Sequence, residues 1–260
     1  MDQIQYSKNI TAKYENFEAD CPYCGYHNIF NRNSDFDDFS FIDFREVVCL
    51  NEKCKQKFNI NGDLINPAFE LKLFEINNLL KDKNYSTCIL NLCQSVEIFI
   101  KTFFNVELIY KLVNIDDEVD DINQLTIYLD KSIKNYTFYK LRNLFLLWFI
   151  KGIRPKDFSN SYDIISSLSK DLKKLKNNEI KESDLNVVAD DELRSLLASL
   201  MKSEINKIRN QIIHKDAYRP SSEETENAYK EIWNMIIPLR RKLGILSCDI
   251  NYYKMLKRQT

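Results

Sequence analysis

The sequence predicts a mainly α protein, an up-and-down helical bundle preceded by a small β-rich module. Three observations predict it. The 260 residues include only 4 Gly and 5 Pro, and few breakers among many Leu, Ile, Lys, Glu and Asn favour helices. From Asn66 onward, apolar residues recur at helical spacing. Before that point, four of the seven cysteines crowd into the first 54 residues as two close pairs around a Phe- and Val-rich stretch. The expected domains are 1–65 and 66–260, the second with an extra helix and loop segment at about 151–190.

The first module rests on its cysteines. Cys21-Pro22-Tyr23-Cys24-Gly25 is followed by 23 residues and then Cys49-Leu50-Asn51-Glu52-Lys53-Cys54. Zinc takes four soft ligands at tetrahedral corners, and a two-residue gap lets one tight turn present two thiolates. Gly25 supplies the backbone freedom for that turn. Phe30, Phe36, Phe39, Phe41, Phe44, Val47 and Val48, between the pairs, read as two or three short strands. Two disulfides are the competing reading, but the N-terminus carries no apolar leader core to suggest an oxidising compartment. The expected ligands are Cys21, Cys24, Cys49 and Cys54, with His27 as a substitute. Four cysteines leave no open position, so the zinc is expected to be structural. The spacing resembles zinc ribbons, which bind nucleic acid or protein.

Net charge is −1, so bulk charge does not mark a nucleic-acid binder. Residues 1–65 hold 7 Lys/Arg against 11 Asp/Glu, and the remainder 30 against 27. Near the end, Arg240, Arg241, Lys242, Lys254, Lys257 and Arg258 face only Asp249, a tail suited to phosphates or to solvent. The longest dense apolar run, Leu144 to Ile150, is 7 residues, far short of the ~20 needed to span a bilayer. A cytoplasmic protein without a membrane partner is expected.

In the second domain, Asn66-Pro67 reads as a helix start. Helix one carries Phe69, Leu73, Phe74, Ile76 and Leu80. Helix two, about 86–104, is apolar on several faces and is expected at the centre. Residues 115–121 read as an acidic turn. One aromatic-rich helical region is expected over 124–151, ended by Pro155. A charged helix over 161–176, a mobile loop over 177–190 and a single helix over 190–215 follow. Ser221 and Glu224 form a capping-box signature for a last helix reaching Lys242. Cys93 lies on the apolar run of helix two and is expected in the core; Cys88 and Cys248 are isolated.

The sequence Arg209-Asn210-Gln211-Ile212-Ile213-His214 contains one of only two histidines. At ~100° per residue, Asn210 and His214 stand ~40° apart on one face. Arg209 reaches round to join them, while Ile208 and Ile212 are expected to bury the opposite side. A histidine suits proton transfer near neutrality, and an arginine's planar fork suits phosphate. Glu97 interrupts the apolar series Leu90, Cys93, Ile100, Phe104. A carboxylate there is costly unless paired, and Arg209 is its candidate partner, with a rim position reaching water as the alternative. Lys207 and Lys215 could track RNA phosphates or simply be solvated.

An Arg, four residues and a His, late in a helical domain and before a capped final helix, resembles the HEPN superfamily. So does the following Lys215-Asp216-Ala217-Tyr218-Arg219-Pro220-Ser221. The resemblance covers roughly 67–245 and implies an HEPN-like bundle and a homodimer with a composite cleft. It further implies metal-independent endoribonuclease activity, with Arg209, Asn210 and His214 catalytic and RNA as partner. The expected products are a 2′,3′-cyclic phosphate and a 5′-hydroxyl. It also implies toxin or anti-phage company, with an antitoxin or regulatory protein as a further partner. A non-catalytic HEPN and zinc-ribbon adaptor and a DNA-binding regulator are the alternatives.

Overall fold

The computed structural model describes residues 16–31, 44–61, 68–113, 119–174, 180–215 and 218–245. The chain divides at about Ala68 into two compact units. The expected helix start at Asn66-Pro67, residues 115–118 of the expected acidic turn, Phe36, Phe39, Phe41, Cys248, Asp216, Ala217 and the basic residues Lys254, Lys257 and Arg258 lie outside the described residues; residues 119–121 of that turn instead begin a helix.

The described residues of the first unit hold four strands, of which two lie between the cysteine pairs, within the two or three expected there. β1 (Asn16–Asp20) pairs antiparallel with β2 (His27–Asn31), and β3 (Phe44–Val48) with β4 (Lys57–Asn61). Each hairpin has a cysteine directly after its first strand: Asp20 pairs with His27, and Val48 with Lys57. Between the hairpins sits a small core of Cys21, Phe30, Val47, Cys49 and Phe58.

The second unit is helical: α1 (Ala68–Lys81), α2 (Tyr85–Asn105), α3 (Val119–Ile133), α4 (Phe138–Ile150), α5 (Phe158–Lys174), α6 (Asp191–Lys202), α7 (Ile205–His214) and α8 (Ser222–Lys242). As its all-round apolar pattern predicts, α2 is central and packs on α4, α7 and α8. Phe99 and Phe103 of α2 meet Phe69, Phe145 and Trp148 edge to face, at centroid separations of 4.7–5.9 Å. This geometry is the one the ring quadrupoles prefer. Cys88 and Cys93 are buried in the same helix. A π-turn, Val106–Tyr110, extends α2. The continuous stretch Tyr85–Tyr110 is long and apolar enough to cross a membrane by length and composition, although 61% of its most apolar window is buried inside the protein. Counting unbroken apolar runs does not find it, because isolated polar residues interrupt the run.

Three expected elements differ. The single helix over 124–151 is two, broken at 134–137, where Thr137 adopts the extended backbone of a helix start. The loop over 177–190 contains a 3-10 turn, Glu182–Val187, whose Leu185 is fully buried. The helix over 190–215 stops at Ser203, whose backbone turns extended. There the Arg142 guanidinium donates to the Met201 carbonyl at 2.9 Å and satisfies one of the acceptors a helix end leaves open.

The last helix starts as its sequence signature predicts. Ser221 Oγ accepts from Glu224 N at 3.0 Å. Only half the reciprocal box forms, because the Tyr218 hydroxyl lies 2.8 Å from both Glu224 oxygens. We expect Ser221→Ala to cost about 1 kcal/mol. In a unit this size that is a melting-point drop of about 2–4 °C by calorimetry, and an unchanged melt would deny the cap its role.

Candidate functional site

The two hairpins bring all four cysteine sulfurs within 4.8 Å of one another. Cys21 and Cys54 Sγ are 3.8 Å apart, and Cys24 and Cys49 Sγ 3.7 Å. A disulfide needs ~2.05 Å, so these are free thiols. A tetrahedron with ~2.3 Å metal–sulfur bonds has edges of about 3.8 Å, close to these two separations. The cluster can therefore hold a metal ion. His27 is exposed at the head of β2 and is not among the four.

The two loops are built alike, a likeness that their different Cys spacings hide. In the first, Gly25 N donates to Cys21 O at 2.9 Å, and in the second Lys55 N donates to Asn51 O at 3.1 Å. The residue after each second cysteine, Gly25 at φ +66° and Lys55 at φ +50°, turns left-handed. Gly takes that conformation freely and Lys at a cost. Asn28, fully buried, joins the hairpins: its amide donates to Ala19 O and Tyr26 O, and its Oδ1 accepts from Leu50 N at 2.7 Å. Asn51 Nδ2 reaches Cys24 Sγ at 3.7 Å. Sequence reasoning missed both asparagines, since a short polar residue beside a turn has many other uses.

Neighbouring sulfurs shift the thiols in opposite directions. Burial acts to raise Cys24, but the Tyr26 backbone hydrogen bond and the other three sulfurs bring it down to about 7. Burial pushes Cys49 up to about 12, with the sulfurs of Cys21, Cys24 and Cys54 adding to the rise. One thiol takes the negative charge that another refuses, as like charges sharing a site must. A divalent ion at the centre would remove the repulsion and let all four ionise.

The second cluster lies where α7 packs on α2. Ile205 and Asn206 bury the first turn of α7. Beyond them the helix is only half-covered, and Ile208 and Ile212 are half-exposed rather than buried as their spacing suggested. Arg209 Nη1 and Asn210 Oδ1 are 3.4 Å apart, so the guanidinium does reach round to its neighbour. Half-buried Glu97 on α2 faces the same place. Burial raises its carboxyl, while the charges of Arg209 and then Lys101 pull it back down. The thiol of Cys93 stands 4.0 Å from Asn206 Oδ1 at the buried edge, pushed up to about 12 by burial and by Glu97. His214 is the last residue of α7 and is exposed, beside Ile213 at 48% exposure.

No protein-family model, curated protein or solved structure matches this chain. Arg209 meets Asn210 and its charge acts on Glu97, whereas His214 stands one turn beyond Asn210, exposed at the end of the helix. Lys207 is exposed and pairs with Glu204 at 2.8 Å, and Lys215 is exposed just past the helix end. Arg240 is held by Glu70 at 2.9 Å and Lys242 by Asp190 at 2.8 Å. These two cations of the expected phosphate-binding tail are engaged inside the helical unit.

A pH effect follows from Glu97. Its folded-state pKa is raised, so the fold favours the protonated carboxyl. That contribution is fully present below the unfolded value of about 4.3. It is lost as pH rises through the folded value. Glu97→Gln should therefore raise the melting temperature at pH 7 and leave it unchanged near pH 3. A drop at pH 7 would mean instead that Arg209 needs the carboxylate charge.

Proposed function

We propose that this chain is a homodimeric, metal-independent endoribonuclease of HEPN type, carried on a helical unit and preceded by a zinc ribbon. The observation that carries the reading is α7 itself. It holds Arg209 and Asn210 in contact beside Glu97, and sets an exposed histidine one turn further on.

In this reading His214 takes the proton from an RNA 2′-hydroxyl, whose oxygen attacks the adjacent phosphorus. Arg209 stabilises the charge that builds on the phosphate oxygens, and Asn210 orients the guanidinium. The 5′-oxygen leaves with a proton supplied by the second copy's histidine. The products are a 2′,3′-cyclic phosphate and a 5′-hydroxyl, with no water consumed and no metal required. One histidine cannot serve both proton transfers at once. A two-fold pair of subunits supplies two, and the half-covered outer side of α7, with Ile208, Ile212 and Ile213, is the surface that would meet its mate. Glu97 positions Arg209 from behind.

The ion in the cysteine cluster is taken to be zinc, on three grounds: four thiolate donors, a closed tetrahedron and spacings that suit Zn–S bonds. It would hold the ribbon together and take no part in the reaction.

The test is cleavage of end-labelled RNA in EDTA by wild type and by His214→Ala. Cutting by the first and none by the second is expected. Failure of the wild type to cut any RNA would leave a binding adaptor as the better reading. Salt-sensitive binding to duplex DNA that survives Arg209→Ala would favour a regulator.

A further inference from the structure

The four clustered cysteines differ in their access to solvent. Cys21 is 2% exposed and Cys49 is fully buried. Cys54 is half-buried, and Cys24 is exposed. The exposure runs along the Cys24 loop, where Pro22, Tyr23, Gly25, Tyr26 and His27 all face solvent. Among the described residues, nothing stands within 4 Å of where a Cβ on Gly25 would lie. A small molecule can therefore approach beside Cys24, whereas the sulfur of Cys49 is shielded behind it.

The exposed cysteine also has a partner. Its Sγ is 3.7 Å from that of Cys49, and Cys21 and Cys54 form the matching pair at 3.8 Å. Each pair takes one sulfur from each hairpin. A disulfide needs the first pair to close by about 1.7 Å, a small movement for two side chains on loops. A cysteine that binds metal does so as the thiolate, and the thiolate is the form that peroxides oxidise, most readily where it is exposed. Cys88 and Cys93 lack this access, since both are buried in α2.

We propose that Cys24 is a peroxide-reactive site, oxidised reversibly to a disulfide with Cys49 that releases the metal from the cluster. The proposal rests on zinc as the ion in the cluster, and it is tested with no RNA present. In the first step the Cys24 sulfur attacks one oxygen of hydrogen peroxide. An S–O bond forms and the O–O bond breaks, leaving a sulfenic acid on Cys24 and a hydroxide that takes a proton from solvent. The Cys49 thiolate then attacks the Cys24 sulfur. The S–S bond forms, the S–O bond breaks, and the departing hydroxide takes a second proton. Two thiolates, one peroxide and two protons become one disulfide and two waters; the two sulfurs lose the two electrons that the peroxide gains. Two of the four thiolate ligands are gone, so the ion is no longer held. Exchange with a small dithiol returns both thiolates.

The experiment treats the full, zinc-loaded chain with stepwise equivalents of hydrogen peroxide. Free zinc is followed with a chromogenic chelator. Parallel samples are trapped with dimedone, which labels sulfenic acid, and mapped for disulfides by mass spectrometry. Early dimedone label on Cys24 should exceed that on Cys21, Cys49 or Cys54 at least about tenfold. The first disulfide in the cluster should join Cys24 to Cys49, with about one zinc released for each one formed. Dithiothreitol and added zinc should restore the starting protein. First labelling at another cysteine of the cluster would overturn the proposal while leaving zinc binding intact. So would zinc that stays bound in excess peroxide, or a product that dithiothreitol does not return. A reduced chain that takes up no zinc would overturn the zinc reading and this proposal together.

Discussion

If the cysteine cluster holds a structural zinc, replacing Cys49 with serine should empty it and unfold the first unit while the helices stand. The magnitudes decide this. A structural four-thiolate site contributes on the order of 10 kcal/mol to folding. A core the size of this one, with Phe30, Val47 and Phe58 as its largest members, supplies at most ~3–5 kcal/mol. Removing one ligand therefore takes away more than the remaining packing holds. Cys49 is also fully buried, so the serine hydroxyl would sit unsatisfied in the apolar centre. Elemental analysis should give about one zinc per wild-type chain and close to none for the variant. Hydrogen exchange should show the amides of β2 and β4 losing protection, and those of α2 keeping it. Unchanged protection in β2 and β4, in the variant or after chelation, would rule out a metal-dependent fold. Acid should release the ion as well, since each ligand must be a thiolate to bind.

The other large effect is on catalysis. If α7 carries the chemistry, His214→Ala should lower the rate of RNA cleavage by about 10²–10⁴-fold, the range for a lost general acid or base. Arg209→Ala should cost about 10²–10³-fold through lost charge stabilisation. The two losses should not add, because both residues act in one transition state. The exposed His214 can be changed with little effect on folding, so its melt should match wild type within about 1 °C. Mixing the inactive His214→Ala and Arg209→Ala chains is a sharper test. In a composite site the mixed cleft keeps one arginine and one histidine, so heterodimers should cut faster than either variant alone but, with one of the two proton transfers unserved, well below wild type. Cleavage that persists in His214→Ala, or a wild type active as a monomer, would end the proposal.

Much of this molecule is legible in its residues. The cysteine spacing foretells the cluster because tetrahedral coordination is local chemistry: two turns and four thiols suffice. The all-round apolar pattern of α2 foretells its central place, since so many buried side chains need partners on every side. The start of α8 is legible because a cap is an interaction across three residues. Distant parts of the chain decide the rest. α6 ends where it does because Arg142, some sixty positions earlier, takes the Met201 carbonyl. Asn28 becomes structural only when the second hairpin brings Leu50 N to it. Glu97 comes under the influence of Arg209 because α2 and α7 pack together. Sequence periodicity records which face of an element is apolar. It does not record which polar group on another element will end a helix or fill a hydrogen bond, because those outcomes depend on pairs of residues that meet only in the folded chain.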